Sequence, residues 1–285
     1  MNNVSRVMKN SFITNLLLSI SKIICGFLGK SSALIADGIH SFSDLLTDIV
    51  AIFGNYFSLK PADKEHPYGH GKLEYLTSIG IGIMVIIIGL VLIGNVTNNE
   101  IVIPSFLVIV VSILTIITKY ILAKYLINKG EVYNNSILIA SGKESSTDVI
   151  SSIVVLISSI LMQFVSYNSL FKYADKVASI IVGIFIIHTG YSILKENISG
   201  IIGEQENDSE QISKLKELIL NNKNIKNIDS LILLKFGSYY KVIIELAMDG
   251  SISLKKSHDI VDKLEKIIKI NDQRARYITI HVNPV

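Results

Sequence analysis

Two pairs of ionisable residues lie inside otherwise apolar stretches: His40 and Asp44 in LIADGIHSFSDLLTDIVAIFG, and Glu144 and Asp148 in ILIASGKESSTDVISSIVVLI. Each pair is spaced i, i+4, so both members project from one face of a helix. A charge at bilayer depth costs several kcal/mol unless it is paired, hydrated or bound. An imidazole nitrogen and carboxylate oxygens suit zinc, iron, cobalt or manganese, with tetrahedral geometry favouring zinc. Four such groups converging from two helices therefore point to one divalent cation held inside a membrane. The competing account is a structural network of buried carboxylates and neighbouring serines. It explains one lone acid better than two pairs at matched depth.

The elements that must position these groups are membrane spans. The chain has 285 residues, 49% hydrophobic and 18% charged, against about 25% charged in an average soluble domain. Its apolar residues gather into runs of about twenty, the length of a bilayer-crossing helix. Six spans are predicted, at roughly 10–29, 33–58, 73–97, 103–127, 135–165 and 175–198. Both pairs then fall about a dozen residues from their span ends, near mid-bilayer. Asp37, His40, Ser41, Asp44 and Asp48 form a polar stripe on the second span, with Asp37 and Asp48 extending it towards an access path. Ser141, Glu144, Ser145, Asp148, Ser151 and Ser152 do the same on the fifth. His188, in the sixth span, has no partner near in sequence and is expected to make a helix-packing hydrogen bond.

Orientation follows from Lys and Arg near span ends. Arg6 and Lys9, then Lys60, Lys64 and Lys72, then Lys119, Lys124 and Lys129 fall on one side, against Lys30, Lys172 and Lys176 on the other. The bias places both termini in the cytoplasm, in a plasma (inner) membrane. The first run lacks a cleavage site and is expected to be retained as a span.

Near residue 203 the composition turns polar in GEQENDSEQ, giving expected domains 1–202 and 203–285. SEQISKLKELILNN reads as a helix with Ser209 as N-cap. IDSLILLKFG and YYKVIIELAMDG read as strands joined at Gly237–Ser238. SLKKSHDIVDKLEKIIKI reads as an amphipathic helix carrying Leu254, Ile260, Val261, Leu264, Ile267 and Ile268, and ARYITIHVNP as a third strand. The fold class is thus a membrane all-α six-helix domain followed by a cytosolic α+β domain of order α-β-β-α-β.

Several function classes drop out. The net charge of +3, with no basic patch interleaved with aromatics, gives no sign of nucleic-acid binding. The one cysteine, Cys25, cannot form an intrachain disulfide. No activated nucleophile and no open-site zinc motif is present, so neither an enzyme nor an organic cofactor is expected. His66 and His70 have the spacing of a zinc-protease motif, but Pro67 and Gly69 break the helix it needs and no Glu lies between them.

The segments SSALIADGIHSFSDLLTD, KPADKEHPYGHGKLE and ESSTDVISS, together with the C-terminal module, resemble the cation diffusion facilitator family of divalent-metal transporters over nearly the whole chain. The resemblance implies a homodimer of six-span protomers in the lipid bilayer, with metallochaperone-like (ferredoxin-like) cytosolic domains, that exports metal in exchange for protons. It implies a transport site at His40, Asp44, Glu144 and Asp148 and a second site at Asp63, His66 and His70, a D-x-x-H-x-x-x-H run able to supply one oxygen and two nitrogens. It also implies a third site at His258 and His281, with Asp229 and Glu245 where relatives often carry ligands and Asn283 where the family ends in Asp. Zinc-carrying members usually have His at the position of Glu144, and a carboxylate there shifts preference towards manganese or iron. Manganese-associated members, however, usually have Asn or Asp where this chain has His40, so the resemblance implies a hybrid site. The alternative is a membrane metal sensor whose cytosolic domain dimerises on metal. Three carboxylates and a neutral imidazole would leave an empty site at −3, a charge that protons or metal must offset.

Overall fold

A computed structural model describes residues 3–58, 60–98, 101–133 and 136–285. The side chain of Asp48 lies outside the described residues. Six long helices come first: α1 (Asn3–Gly29), α2 (Ser32–Ser58), α3 (Leu73–Asn98), α4 (Phe106–Val132), α5 (Ser136–Gln163) and α6 (Ala174–Ile202). Then follow α7 (Ser209–Leu220), β1 (Ile225–Phe236), β2 (Tyr239–Met248), α8 (Leu254–Asn271) and β3 (Ala275–Pro284). Among the described residues, five of the long helices are apolar and long enough to cross a membrane. Their outward faces carry Leu17, Phe27, Leu28, Leu90, Leu114 and Ile121, each more than half exposed. Such surfaces suit lipid, where every backbone polar group is satisfied within the helix.

The chain forms two compact units, Met1–Ile49 with Ile81–Ser192, and Val50–Gly80 with Ile193–Val285. In the first unit, α1 turns into α2 through Lys30, whose φ of 56° closes the helix in the left-handed conformation. The amide groups at the start of α2 are capped from α6: Asp175 accepts from Ser32 N at 2.8 Å, Ala33 N at 3.3 Å and Ser31 Oγ at 2.6 Å. An anion at a helix N-terminus meets both its orphan donors and its dipole, and this fixes the depth of α2. Helices α1 and α2 cross closely at Gly38, where a Cβ would lie 2.9 Å from the Ile23 nitrogen. Helices α4 and α5, joined by a short connection, pack as antiparallel neighbours.

The second unit holds the C-terminal module. Its sheet has order β1-β2-β3, with β1 antiparallel and β3 parallel to β2. Leu233, Val242, Ile244, Leu246 and Met248 face Leu215 and Ile219 of α7 and Ile260, Leu264 and Ile268 of α8, so both helices cover one face. This is the α-β-β-α-β order expected. Two details differ. The N-cap of α7 is Asp208, accepting from Glu210 N and Gln211 N, because the residue before Ser209 already has extended backbone and a carboxylate in reach. Leu254 and Ile267 stand exposed, since α8 needs only one narrow stripe to cover three strands.

Candidate metal centre

The bundle brings His40 and Asp44 of α2 together with Asp148 of α5: one ligand atom from each lies within 4.8 Å of the other two. His40 and Asp148 are buried and Asp44 partly so. His40 Nδ1 stands 3.8 Å from Asp44 Oδ2 and has no hydrogen-bond partner among the described residues. A buried imidazole nitrogen aimed at two carboxylates is a fitting set of donors for one divalent cation. Glu144 is exposed, one turn from Asp148 on α5, and is not part of this set. The buried face of α5 runs through Ser145, Asp148, Ser151 and Ser152. Helical spacing permits either Glu144 (i, i+4) or Ser145 (i, i+3) to share a face with Asp148, and it is the serine that is buried.

Two lysines complete the interior, and neither was expected there. Lys119 sits midway along α4, 2% exposed, with Nζ 2.5 Å from Asp148 Oδ2. By sequence position it groups with Lys124 and Lys129 around the end of the fourth span. The structure corrects that, because α4 continues to Val132. Lys22, in α1, is fully buried and pairs with Asp37 of α2 at 2.7 Å. Its ammonium also donates to Ser152 Oγ at 2.9 Å and Ser41 Oγ at 3.2 Å. Asp37 accepts from Ser151 Oγ at 2.6 Å and Ser152 Oγ at 2.8 Å. Asp37 therefore serves an ion pair knitting α1, α2 and α5 instead of standing open to an access path. Charged groups within a span that pair with one another are the expected arrangement. The signal that could have found them was present: a lysine inside an apolar run, too far from either end to snorkel.

A second cluster lies in the loop between α2 and α3. Ligand atoms of Asp63, His66 and His70 lie within 4.8 Å of one another. His66 Nδ1 is 3.2 Å from Asp63 Oδ1, and His70 Nε2 is 3.4 Å from Asp63 Oδ2. Asp63 Oδ1 also accepts from the backbone N–H groups of His66 at 2.6 Å and Glu65 at 3.0 Å. The His66 N–H is foremost in holding the Asp63 carboxyl below the usual carboxylate range. The loop is seated on the C-terminal module of its own unit. The Tyr239 hydroxyl donates to Tyr68 O at 2.7 Å and accepts from Gly71 N at 3.0 Å. A side chain at Gly71 would meet Phe236 O at 2.1 Å, so only glycine allows this approach.

The C-terminal candidates do not gather into a third cluster among the described residues. Glu245 and His281 are exposed register partners on β2 and β3. Asp229 accepts from Asn283 Nδ2 at 2.9 Å and Asn227 Nδ2 at 3.1 Å. His258 lies exposed on α8, 3.2 Å from Asp262. His188 is exposed on α6.

Among the described residues, long apolar helices, a His–carboxylate cluster between α2 and α5 and an α-β-β-α-β module fit a membrane protein that handles metal. The chain matches the cation efflux transmembrane domain over residues 8–202 and the cation efflux protein cytoplasmic domain over residues 207–285. It belongs to that family, the cation diffusion facilitators. It is 28% identical over 280 residues to the manganese efflux system protein MneP of Bacillus subtilis, spanning 96% of this chain and 94% of that protein. An uncharacterized transporter of Methanocaldococcus jannaschii is 32% identical over 270 residues, 91% of each chain. The magnetosome protein MamB of Magnetospirillum gryphiswaldense is 24% identical over 278 residues, 96% of this chain and 92% of that protein.

Proposed function

We propose that this protein exports divalent transition metal from the cytoplasm in exchange for protons, with His40, Asp44 and Asp148 as the transport site. The supporting observation is the convergence of their three ligand atoms within 4.8 Å where α2 meets α5. Manganese is the first candidate cargo, with iron and zinc next: two carboxylates and one imidazole make a hard donor set, and one relative is named for manganese efflux. The protein works as a homodimer joined through the C-terminal module, with both termini cytoplasmic, in the plasma (inner) membrane, and catalyses no covalent chemistry. Glu144, one turn along α5, meets the metal at the mouth of the site and joins it as access alternates. Metal and protons compete because each offsets the carboxylate charge. The test is uptake of Mn2+, Fe2+ and Zn2+ into vesicles holding purified protein, with and without an imposed pH gradient. Uptake that responds to the gradient and vanishes in Asp44→Asn and Asp148→Asn is expected. Uptake indifferent to the gradient overturns the exchange.

A further inference from the structure

Lys119 has no place in a metal-ligand set, yet its ammonium lies on a ligand. Nζ is 2.5 Å from Asp148 Oδ2, with the two side chains 2% and 6% exposed. Lysine offers three donors and no acceptor, so at mid-span its ammonium needs a counter-charge or hydrogen-bond acceptors around it. Lys22 is the instructive contrast. Its partners are Asp37, Ser41 and Ser152, none of which belongs to the cluster. Lys22 holds helices together, whereas Lys119 occupies an oxygen that a metal needs.

A divalent ion on Asp148 and an ammonium on the same carboxylate repel strongly in a low-dielectric interior. We propose that Lys119 is a tethered counter-cation of the transport site: it neutralises Asp148 while no metal is bound, leaves when a divalent ion enters, and returns as the ion departs. This rests on the transport-site reading above. The lysine has room to act this way without losing its charge. Its four-carbon stem is flexible, and side chains on a helix lean towards its N-terminus. One turn back on the same face, buried Thr115 donates its hydroxyl to Ser112 O at 2.9 Å and keeps lone pairs for an incoming ammonium.

The charges explain why such a device helps. Lys22 and Lys119 face Asp37, Asp44 and Asp148, so with His40 neutral the empty interior carries one net negative charge, not three. A divalent ion turns this into one net positive charge. Empty and loaded carriers then differ in sign but not in magnitude, and neither cost of crossing the low-dielectric region dominates. Without Lys119 the empty state would carry two negative charges, and metal would be bound more tightly and released more slowly.

The experiment measures Mn2+ binding calorimetrically to the full-length protein in detergent, in an Asp63→Ala background that silences the loop cluster. Lys119→Met and Lys119→Gln are expected to bind Mn2+ roughly tenfold or more tightly, and Lys119→Arg close to the unsubstituted protein. In vesicles the two neutral variants should show a lower KM together with a lower kcat, a split that simple misfolding does not give. Unchanged or weaker binding in neutral variants that elute as folded protein overturns the proposal. Should both fail to fold, amine methylation of the native protein with and without Mn2+ decides, read by mass spectrometry on the Lys119 peptide. More modification with metal supports displacement, and equal modification overturns it. Asp148→Asn separates this idea from its premise. Undiminished Mn2+ binding by that variant removes the transport site itself; lost binding there, with Lys119→Met and Lys119→Gln unchanged, removes only the counter-cation.

Discussion

Among its described residues the protein holds two clusters built from the same donors, histidine nitrogen and aspartate oxygen, and treats them in opposite ways. At His40, Asp44 and Asp148 the side chains are buried or partly so, and the carboxylate on α5 is balanced by a lysine ammonium. At Asp63, His66 and His70 the aspartate is about half exposed and is held by backbone N–H groups of its own turn. Backbone donors cannot move aside without unfolding the turn, whereas a lysine on a flexible stem can. On the proposed reading the buried cluster would thus have a means of exchanging one cation for another, while the loop cluster would stay put. Ligand type alone does not distinguish a transport site from a static one; the groups that satisfy the ligands do.

The largest effect expected from breaking this contrast is at the buried cluster. Asp44→Asn or Asp148→Asn should lower vesicle metal uptake by at least roughly a hundredfold, since loss of a ligand exceeds the 10–100-fold typical of losing its supporting partner. The same change at Asp63 should leave most of the uptake in place. Equal losses at the two clusters would erase the distinction.

Next comes the ion pair that supports the buried cluster without belonging to it. Lys22→Met leaves Asp37 fully buried beside two serines with no cation, which should destabilise the bundle by about 3–5 kcal/mol. Thermal unfolding in detergent would show it. Adding Asp37→Asn should restore most of the loss, because the uncompensated charge goes with it. If the double variant is as unstable as the single one, lysine packing and not charge is what holds α1 to α2.

How much of this was legible in the sequence divides along the same line. Spans and the C-terminal module announce themselves through run length and the change of period, both local properties. The i, i+4 pairs point to α2 and α5, the helices that carry His40, Asp44 and Asp148 of the buried cluster, though Glu144 of the second pair lies outside it. Local patterns could not assign Lys22 to Asp37, 15 residues away on another helix, or Lys119 to Asp148, because such pairing follows from helix packing and has no period. Nearness to span ends groups Lys119 with the cytoplasmic lysines for that reason. The choice between Glu144 and Ser145 for the buried face of α5 was likewise left to helix packing, which a single helix cannot encode.

At the loop cluster, His70→Ala should abolish metal binding by the loop, read by calorimetry in an Asp148→Asn background, while lowering uptake only a few-fold. The acid behaviour of this turn has a definite sign. A carboxyl whose folded pKa is depressed adds stability above its unfolded value and loses it as pH falls through the lowered one. The Asp63 turn should therefore persist down through the ordinary carboxylate range and open only at more acid pH. Amide exchange at His66 and Glu65 reports it, and opening within the ordinary carboxylate range would mean that these N–H bonds are not made.

The smallest effect tests whether the loop cluster is fixed in place by the module beneath it. Tyr239→Phe removes a hydroxyl that donates to Tyr68 O and accepts from Gly71 N, and leaves the ring stacked on Phe236. Each such bond contributes about 0.5–1.5 kcal/mol net, so unfolding of the module should shift by that order while the helical bundle is untouched. If the loop depends on this seat, the variant should also bind metal at Asp63, His66 and His70 a few-fold more weakly, because part of the binding energy then goes into ordering the turn. Unaltered loop affinity alongside lowered module stability would show that the Asp63 turn carries its own rigidity, and that the tyrosine serves the module alone.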